Sequence, residues 1–267
     1  MDALLIIILL VFGVLFGIIG SVAGIGGGAL HMSLMILLFA IPIDEARNTS
    51  SFIIVLFSGI ATISYFKQKK VDIKLSLIFA GFALLGSITA TIFFLLFPID
   101  NTVLKIIIAS VVLASGLNMI RKALNSLKQE RLNKNDQEIV FSFDDFDYKA
   151  NLKKAIPLFF LTGFIAYLTG IGGGMLFVPI LSILFGMPIH ISTATSTSMI
   201  FFIGIYNATA RMVIGEIHYL IGILIGIGAI LGSLYGTRLS KKINKRNLQF
   251  FVAVILIGLA IRMYFIV

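Results

Sequence analysis

The chain has 267 residues, of which 59% are hydrophobic and only 12% charged, with a mean hydropathy of +1.08. Soluble globular domains carry about 25% charged residues, so a soluble fold is excluded, and the net charge of +9 reads as membrane topology rather than nucleic-acid binding because the basic residues gather between apolar stretches. There is no cysteine, which excludes disulfides, a thiolate nucleophile and a cysteine-held metal.

A bilayer is crossed by about 20 apolar residues. The first apolar segment, 3–23, has the length of a signal peptide. It carries Asp2 rather than a basic n-region and lacks an A-x-A-like cleavage site, so it reads as a retained helix. Four more segments follow at 29–43, 50–66, 75–97 and 102–120. A polar stretch, 121–154, includes KQERLNKNDQE and the acidic-aromatic run FSFDDFDYKA. Five further segments lie at 155–169, 175–189, 195–213, 217–235 and 248–266.

The two sets of five are copies. Sliding the chain by 146 positions lays the GIGGG at 24–28 on the GIGGG at 170–174. The match continues through Leu30 and Leu176, Pro42 and Pro188, Thr49-Ser50 and Thr195-Ser196, Gly86-Ser87 and Gly232-Ser233, and Asn101 and Asn247. The expected organisation is a first transmembrane repeat at 1–120, a cytoplasmic linker at 121–154 and a second transmembrane repeat at 155–267.

Charge sets the orientation. Lys67, Lys69, Lys70 and Lys74 follow the third segment, eight basic residues lie in 121–154, and Arg238, Lys241, Lys242, Lys245 and Arg246 follow the ninth. Together these are 17 of the 21 Lys and Arg. All three clusters fall on one side, the cytoplasmic one, only if the first pair of segments in each half leaves where it entered. That pair either crosses twice or forms a re-entrant V. Each half then has five segments, an odd number, and the halves are inverted with both termini outside. The fold class expected is an all-α polytopic protein of the cell (inner) membrane, built from two inverted repeats of five hydrophobic segments, each with a glycine-broken or re-entrant helix pair. A duplicated membrane chain of this kind is the pattern of a secondary transporter.

Adjacent glycines are poor helix formers, each costing roughly 1 kcal/mol relative to Ala. The unpaired backbone they leave survives at membrane depth only inside protein or beside a wet cavity. The short segments that start at Ala29 and Met175 would present their N-termini there. A helix N-terminus offers free N–H groups and about half a positive charge, so the breaks read as an anion site. The glycines concerned are Gly24, Gly26, Gly27, Gly28, Gly170, Gly172, Gly173 and Gly174. Gly13, Gly17, Gly81, Gly86, Gly222, Gly226 and Gly232 read instead as close helix contacts.

A hydroxyl-rich run follows each short segment. Thr49, Ser50, Ser51, Thr195, Ser196 and Thr197 can donate to an oxyanion without a buried fixed charge, and can equally cap helices or bond between them. His31 is ionisable at membrane depth and a candidate for the site. Asn207 and Arg211 stand one turn apart on the eighth segment. Asn207 reads as facing a cavity and Arg211 as snorkelling to the outer interface. His190 and His218 read as loop residues, and Tyr65, Tyr206, Tyr235 and Tyr264 as interface or packing aromatics. No HExxH, G-x-S-x-G, P-loop or paired intramembrane carboxylate occurs, so no catalytic residue, metal or cofactor is expected.

GSVAGIGGGAL (20–30), ARNTSSFIIV (46–55), VDIKLSL (71–77), YLTGIGGGMLFVPIL (167–181) and STATSTSMIFF (192–202) together resemble the sulfite exporter TauE/SafE family of membrane transporters. The resemblance covers nearly the whole chain outside the linker. It implies export of sulfite, organosulfonates or related small sulfur oxyanions, with membrane lipid as the other partner and no nucleic acid. His31 stands where the second half has Phe177, and the Ser-Phe after Thr49-Ser50 departs from the family's more usual Thr-Ser-Leu. A passive anion channel on the same scaffold, or a non-transporting membrane protein recruiting a soluble partner through FSFDDFDYKA, are the other readings of the pattern.

Overall fold

The computed structural model describes residues 3–97, 100–132, 148–240 and 245–265, and those residues form helices without a strand. In order they are α1 (Ala3–Ala23), α2 (Gly28–Phe39), α3 (Ile43–Lys67), α4 (Ile73–Leu96) and α5 (Asn101–Leu132). Then come α6 (Lys149–Thr169), α7 (Gly174–Pro179, continued by a π turn at Ile180–Leu184), α8 (Ile189–Ile214), α9 (Tyr219–Leu239) and α10 (Lys245–Phe265). Seven of them, α1, α3, α4, α5, α6, α8 and α9, are long and apolar enough to cross a membrane. The chain is a multi-pass membrane protein. α2 has 12 residues, about 18 Å at 1.5 Å per residue, roughly half the bilayer core.

Pro42 and Pro188 end the short helices and start the next ones. Both sit in the same extended conformation, φ −52° with ψ 145° and 143°, which proline's ring pre-sets. α3 and α8 therefore begin at Ile43 and Ile189, six to seven residues before the apolar segments. The hydroxyl runs lie in their second and third turns rather than at their starts, and cap neither helix. α4 starts under a side-chain cap, with Asp72 Oδ1 accepting from Leu75 N–H at 3.0 Å. α5 runs on to Leu132, past the expected end of the first repeat, and α6 starts at Lys149, ahead of 155. Helical hydrogen bonding continues into polar sequence beyond the apolar stretch. Most of the FSFDDFDYKA run lies outside the described residues.

The packing has an exchange symmetry. α1 packs on α9 and its counterpart α6 on α4; α5 packs on α10 and α3 on α8; α3 also meets α9, as α8 meets α4. Small residues permit the closest of these approaches. A Cβ on Gly17 of α1 would stand 2.8 Å from Ala229 Cα on α9, and one on Gly163 of α6 would stand 2.6 Å from the Ala83 carbonyl carbon on α4. Gly86 and Gly232 serve the same contacts, as expected, while Gly222 and Gly226 lie against Phe52 and Leu56 of α3. Gly81 does not pack. A Cβ there would meet nothing within 4 Å, because Gly81 is on the exposed face of α4. α3 and α8 run antiparallel through the middle of the molecule. The start of α3 meets the end of α8, where Arg211 reaches Asn48, and its end meets the start of α8, where Tyr65 packs on Ala194.

Candidate functional site

The two glycine motifs adopt one backbone conformation. Gly24, Gly26 and Gly27 have φ of 68°, 87° and 62°; Gly170, Gly172 and Gly173 have 68°, 89° and 75°. Such left-handed angles are open to glycine and costly for residues with a Cβ, so the motif's spacing encodes the break. α1 and α6 end just before the first glycine, and α2 and α7 start at the last, Gly28 and Gly174. Neither Gly27 nor Gly173 supplies a side-chain cap, and neither short helix has an acid in its first turn. The positive ends of both helices are therefore buried without an anionic side chain of their own.

The breaks interlock at the centre. A Cβ on Gly28 would lie 2.7 Å from the Ile171 carbonyl oxygen, and one on Gly174 would lie 2.8 Å from the Ile25 carbonyl carbon. Ile54 and Ile200, each the twelfth residue of its helix, α3 or α8, border both breaks. The site therefore stands midway along the two central helices.

The hydroxyls cross from one half to the other. Ser50 Oγ donates to the carbonyls of Gly28 and Gly170, at 3.0 and 3.1 Å, and Ser196 Oγ donates to Gly24 at 3.0 Å. Each serine thus holds the opposite half's break. Ser51 bonds the Arg47 carbonyl and Thr197 that of Thr193. Thr49 Oγ1 accepts the backbone N–H of His218, in the loop after α8. Thr195 Oγ1, both ring nitrogens of His31 and Asn207 Oδ1 are buried without a hydrogen-bond partner among the described residues. His31 lies beside Gly27 and between Phe16 and Phe57. Buried polar groups normally find partners, which makes these atoms, next to the breaks and along α8, candidates for contact with a ligand.

Two buried arginines complete the neighbourhood. Arg47 and Arg211 are buried, at 4% and 2% exposure, so Arg211 does not snorkel to the interface. Arg47 donates to the Leu168 carbonyl at 3.2 Å and pairs with Asp44 at 3.0 Å. Arg211 donates to Asn48 Oδ1 at 3.0 Å and to the Tyr167 carbonyl. The two guanidiniums satisfy the last carbonyls of α6 just before the second break, and the chain at Arg47 presses on Gly170. Both line a cavity of about 370 Å³ with Asp44, Asn48, Phe94 and Tyr167. The available signal was charge placement, since Arg47 and Arg211 are among the four basic residues outside the three clusters. Among the described residues no group of three His, Cys, Asp or Glu could hold a metal ion.

Comparison with known proteins agrees with this architecture. A 28% identical relative, the probable membrane transporter protein YunE of Bacillus subtilis, aligns over 94% of each chain. A probable membrane transporter protein of Methanocaldococcus jannaschii is 27% identical over 95% of this chain and 93% of its own. A third, probable membrane transporter protein YjnA of Bacillus subtilis, is also 27% identical, over 93% and 96%. No solved structure matches. The model of the sulfite exporter TauE/SafE family matches residues 9–263, and with nearly its whole length covered, the chain belongs to that family of membrane transporters.

Proposed function

We propose that this transporter exports a small oxyanion, sulfite or an organosulfonate, bound between the two glycine-broken motifs. The observation that carries this reading is the pair of uncapped helix starts that meet midway along α3 and α8. Backbone N–H groups at Gly26–Gly28 and Gly172–Gly174, aided by the dipoles of α2 and α7, replace the anion's hydration, whereas the N–H groups of Gly24 and Gly170 close the ends of α1 and α6 on the carbonyls of Gly20 and Ala166 and shape the breaks without binding. His31 and Thr195 add donors from the surrounding helices, while the Asn207 amide would have to turn its NH2 toward the anion, its unpartnered Oδ1 being an acceptor. Ser50 and Ser196 hold the carbonyls of the breaks aside, so that the N–H groups face the ligand. Thr49, Ser51 and Thr197 line the same turns of α3 and α8.

The two halves are inverted repeats with both termini outside and 121–154 in the cytoplasm. The exchange-symmetric packing and the antiparallel α3 and α8 support this arrangement, as does the charge pattern. A potential negative inside favours anion exit by about 2.3 kcal/mol per charge per 100 mV, which suffices for uniport.

The test is sulfite flux from proteoliposomes under an imposed potential. Gly27→Leu and Gly173→Leu should abolish flux while the protein remains in the membrane. At Gly27 a side chain would need φ near 62° and would lie 3.0 Å from His31 Cε1. Unchanged flux in both variants would leave the motifs a packing role only.

A further inference from the structure

A cavity opens at the start of α3. Its inner wall holds two buried cations and its mouth holds the acids. Glu45 is paired with His218, and Glu216 is exposed, its backbone carbonyl taking the Asn48 amide at 3.1 Å. Asp44 is the only carboxylate within ion-pair distance of either guanidinium among the described residues, and its side chain is 38% exposed. Arg211 has neutral partners only, and the Nε atoms of both arginines are buried without any among the described residues. A buried guanidinium held by neutral dipoles is a cation awaiting a counterion. The planes of the two groups are set by aromatic faces, Arg47 Cζ lying 4.4 Å from the Phe94 ring centre and Arg211 Cζ 4.8 Å from that of Tyr167. Planar, pre-oriented guanidiniums recognise oxyanions through paired N–H donors.

We propose that this cavity is a second anion site, in which Arg47 and Arg211 together hold a small inorganic oxyanion in the place that the Asp44 carboxylate occupies toward Arg47. Asp44 is the resident competitor, withdrawn to solvent when the oxyanion enters and returned when it leaves. The cavity's position at the outer end of the export path rests on the orientation proposed above; its binding of an oxyanion rests on the cavity alone. Because Arg47 presses on Gly170 and both arginines hold the last carbonyls of α6, an occupied site bears directly on the second break.

The chain contains no tryptophan, so Phe94→Trp places the sole tryptophan in the cavity wall, read by excitation at its red edge, which spares the tyrosines. In purified full-length protein bearing that change, sulfate titrated against chloride at constant ionic strength should alter the emission saturably. Adding Asp44→Asn should tighten the response several-fold, because the competitor's charge is gone. Adding Arg211→Gln should abolish it, and Arg211→Lys should weaken it at least tenfold. An emission insensitive to sulfate, or an Asp44→Asn response no tighter than its parent, would overturn the proposal and leave the arginines as caps of α6. Gly173→Leu should keep the sulfate response while losing flux. Loss of the sulfate response in Gly173→Leu together with its survival in Arg211→Gln would place the anion in the breaks and refute this second site. Normal flux in the glycine variants with an intact sulfate response would refute the break site and spare this one.

Discussion

Glycine at Gly27 and glycine at Gly81 do unrelated work, and the backbone tells them apart. Gly27 has a left-handed φ beside a fully buried imidazole; Gly81 is a helical residue with open space where a Cβ would go. Gly81→Ala should therefore stabilise α4 by up to about 1 kcal/mol, seen as a small rise in Tm in detergent. Gly17→Ala should lower Tm by several degrees, because its Cβ would meet the backbone of α9. The hydroxyls divide in the same way. Thr195→Val removes a group with no protein partner among the described residues, so the fold should hold while the apparent KM for sulfite rises at least tenfold, one charge-assisted bond being worth about 1.5–3 kcal/mol. Ser50→Ala leaves two carbonyls short and should lower Tm as well. His31→Phe, which copies Phe177 of the second half, should keep Tm and change KM less than Thr195→Val does. A larger KM change for His31→Phe would make the imidazole the principal ligand.

Some helix starts carry a side-chain cap and others do not, and the two short helices are among those without one. Asp72 caps α4 in the ordinary way, and Asp72→Ala should cost about 1 kcal/mol, readable as a lower Tm with flux per folded molecule unchanged. Asp100 plays a like part before α5. The Thr102 backbone N–H it accepts at 2.7 Å holds its carboxyl below the usual range. A depressed carboxyl stabilises the fold above its unfolded-state pKa and ceases to do so as pH falls through the folded value, so this cap weakens only in acid. α2 and α7 have no such device. The breaks that precede them are held by serines from the opposite half, Ser196 on the Gly24 carbonyl and Ser50 on that of Gly170, so that each break depends on a chain segment more than a hundred residues away.

The two halves pack by exchange, and under the proposed inversion the outer and inner faces would repeat the same contacts in reverse order. The orientation can be read with single cysteines, since the native chain has none. An impermeant thiol label applied to intact cells should modify cysteines near residue 3 and near 265 and should spare one at 124. Labelling at 124 from outside would remove the basis for inversion. Uniport makes a second whole-molecule demand, that sulfite flux reverse its preference with the sign of the imposed potential. Indifference to that sign would require an electroneutral, coupled cycle.

Membrane character, ten segments, the internal duplication and the position of both breaks were legible in the residues, because hydropathy and glycine spacing are local properties that a bilayer and a backbone read directly. The helix ends were less so: α3 starts at Ile43 and α5 runs to Leu132, since Pro42 and helical hydrogen bonding set those limits rather than the edge of the apolar stretch. Which glycines pack depended on the neighbour. Gly86 meets α6 while Gly81, five residues earlier, meets nothing. Arg211 looked like an interfacial cation because its own helix shows only its depth. Its burial comes from Asn48 and the Tyr167 carbonyl, 163 and 44 positions away. Contacts between segments so distant are chosen by how the helices pack, and no local pattern carries them.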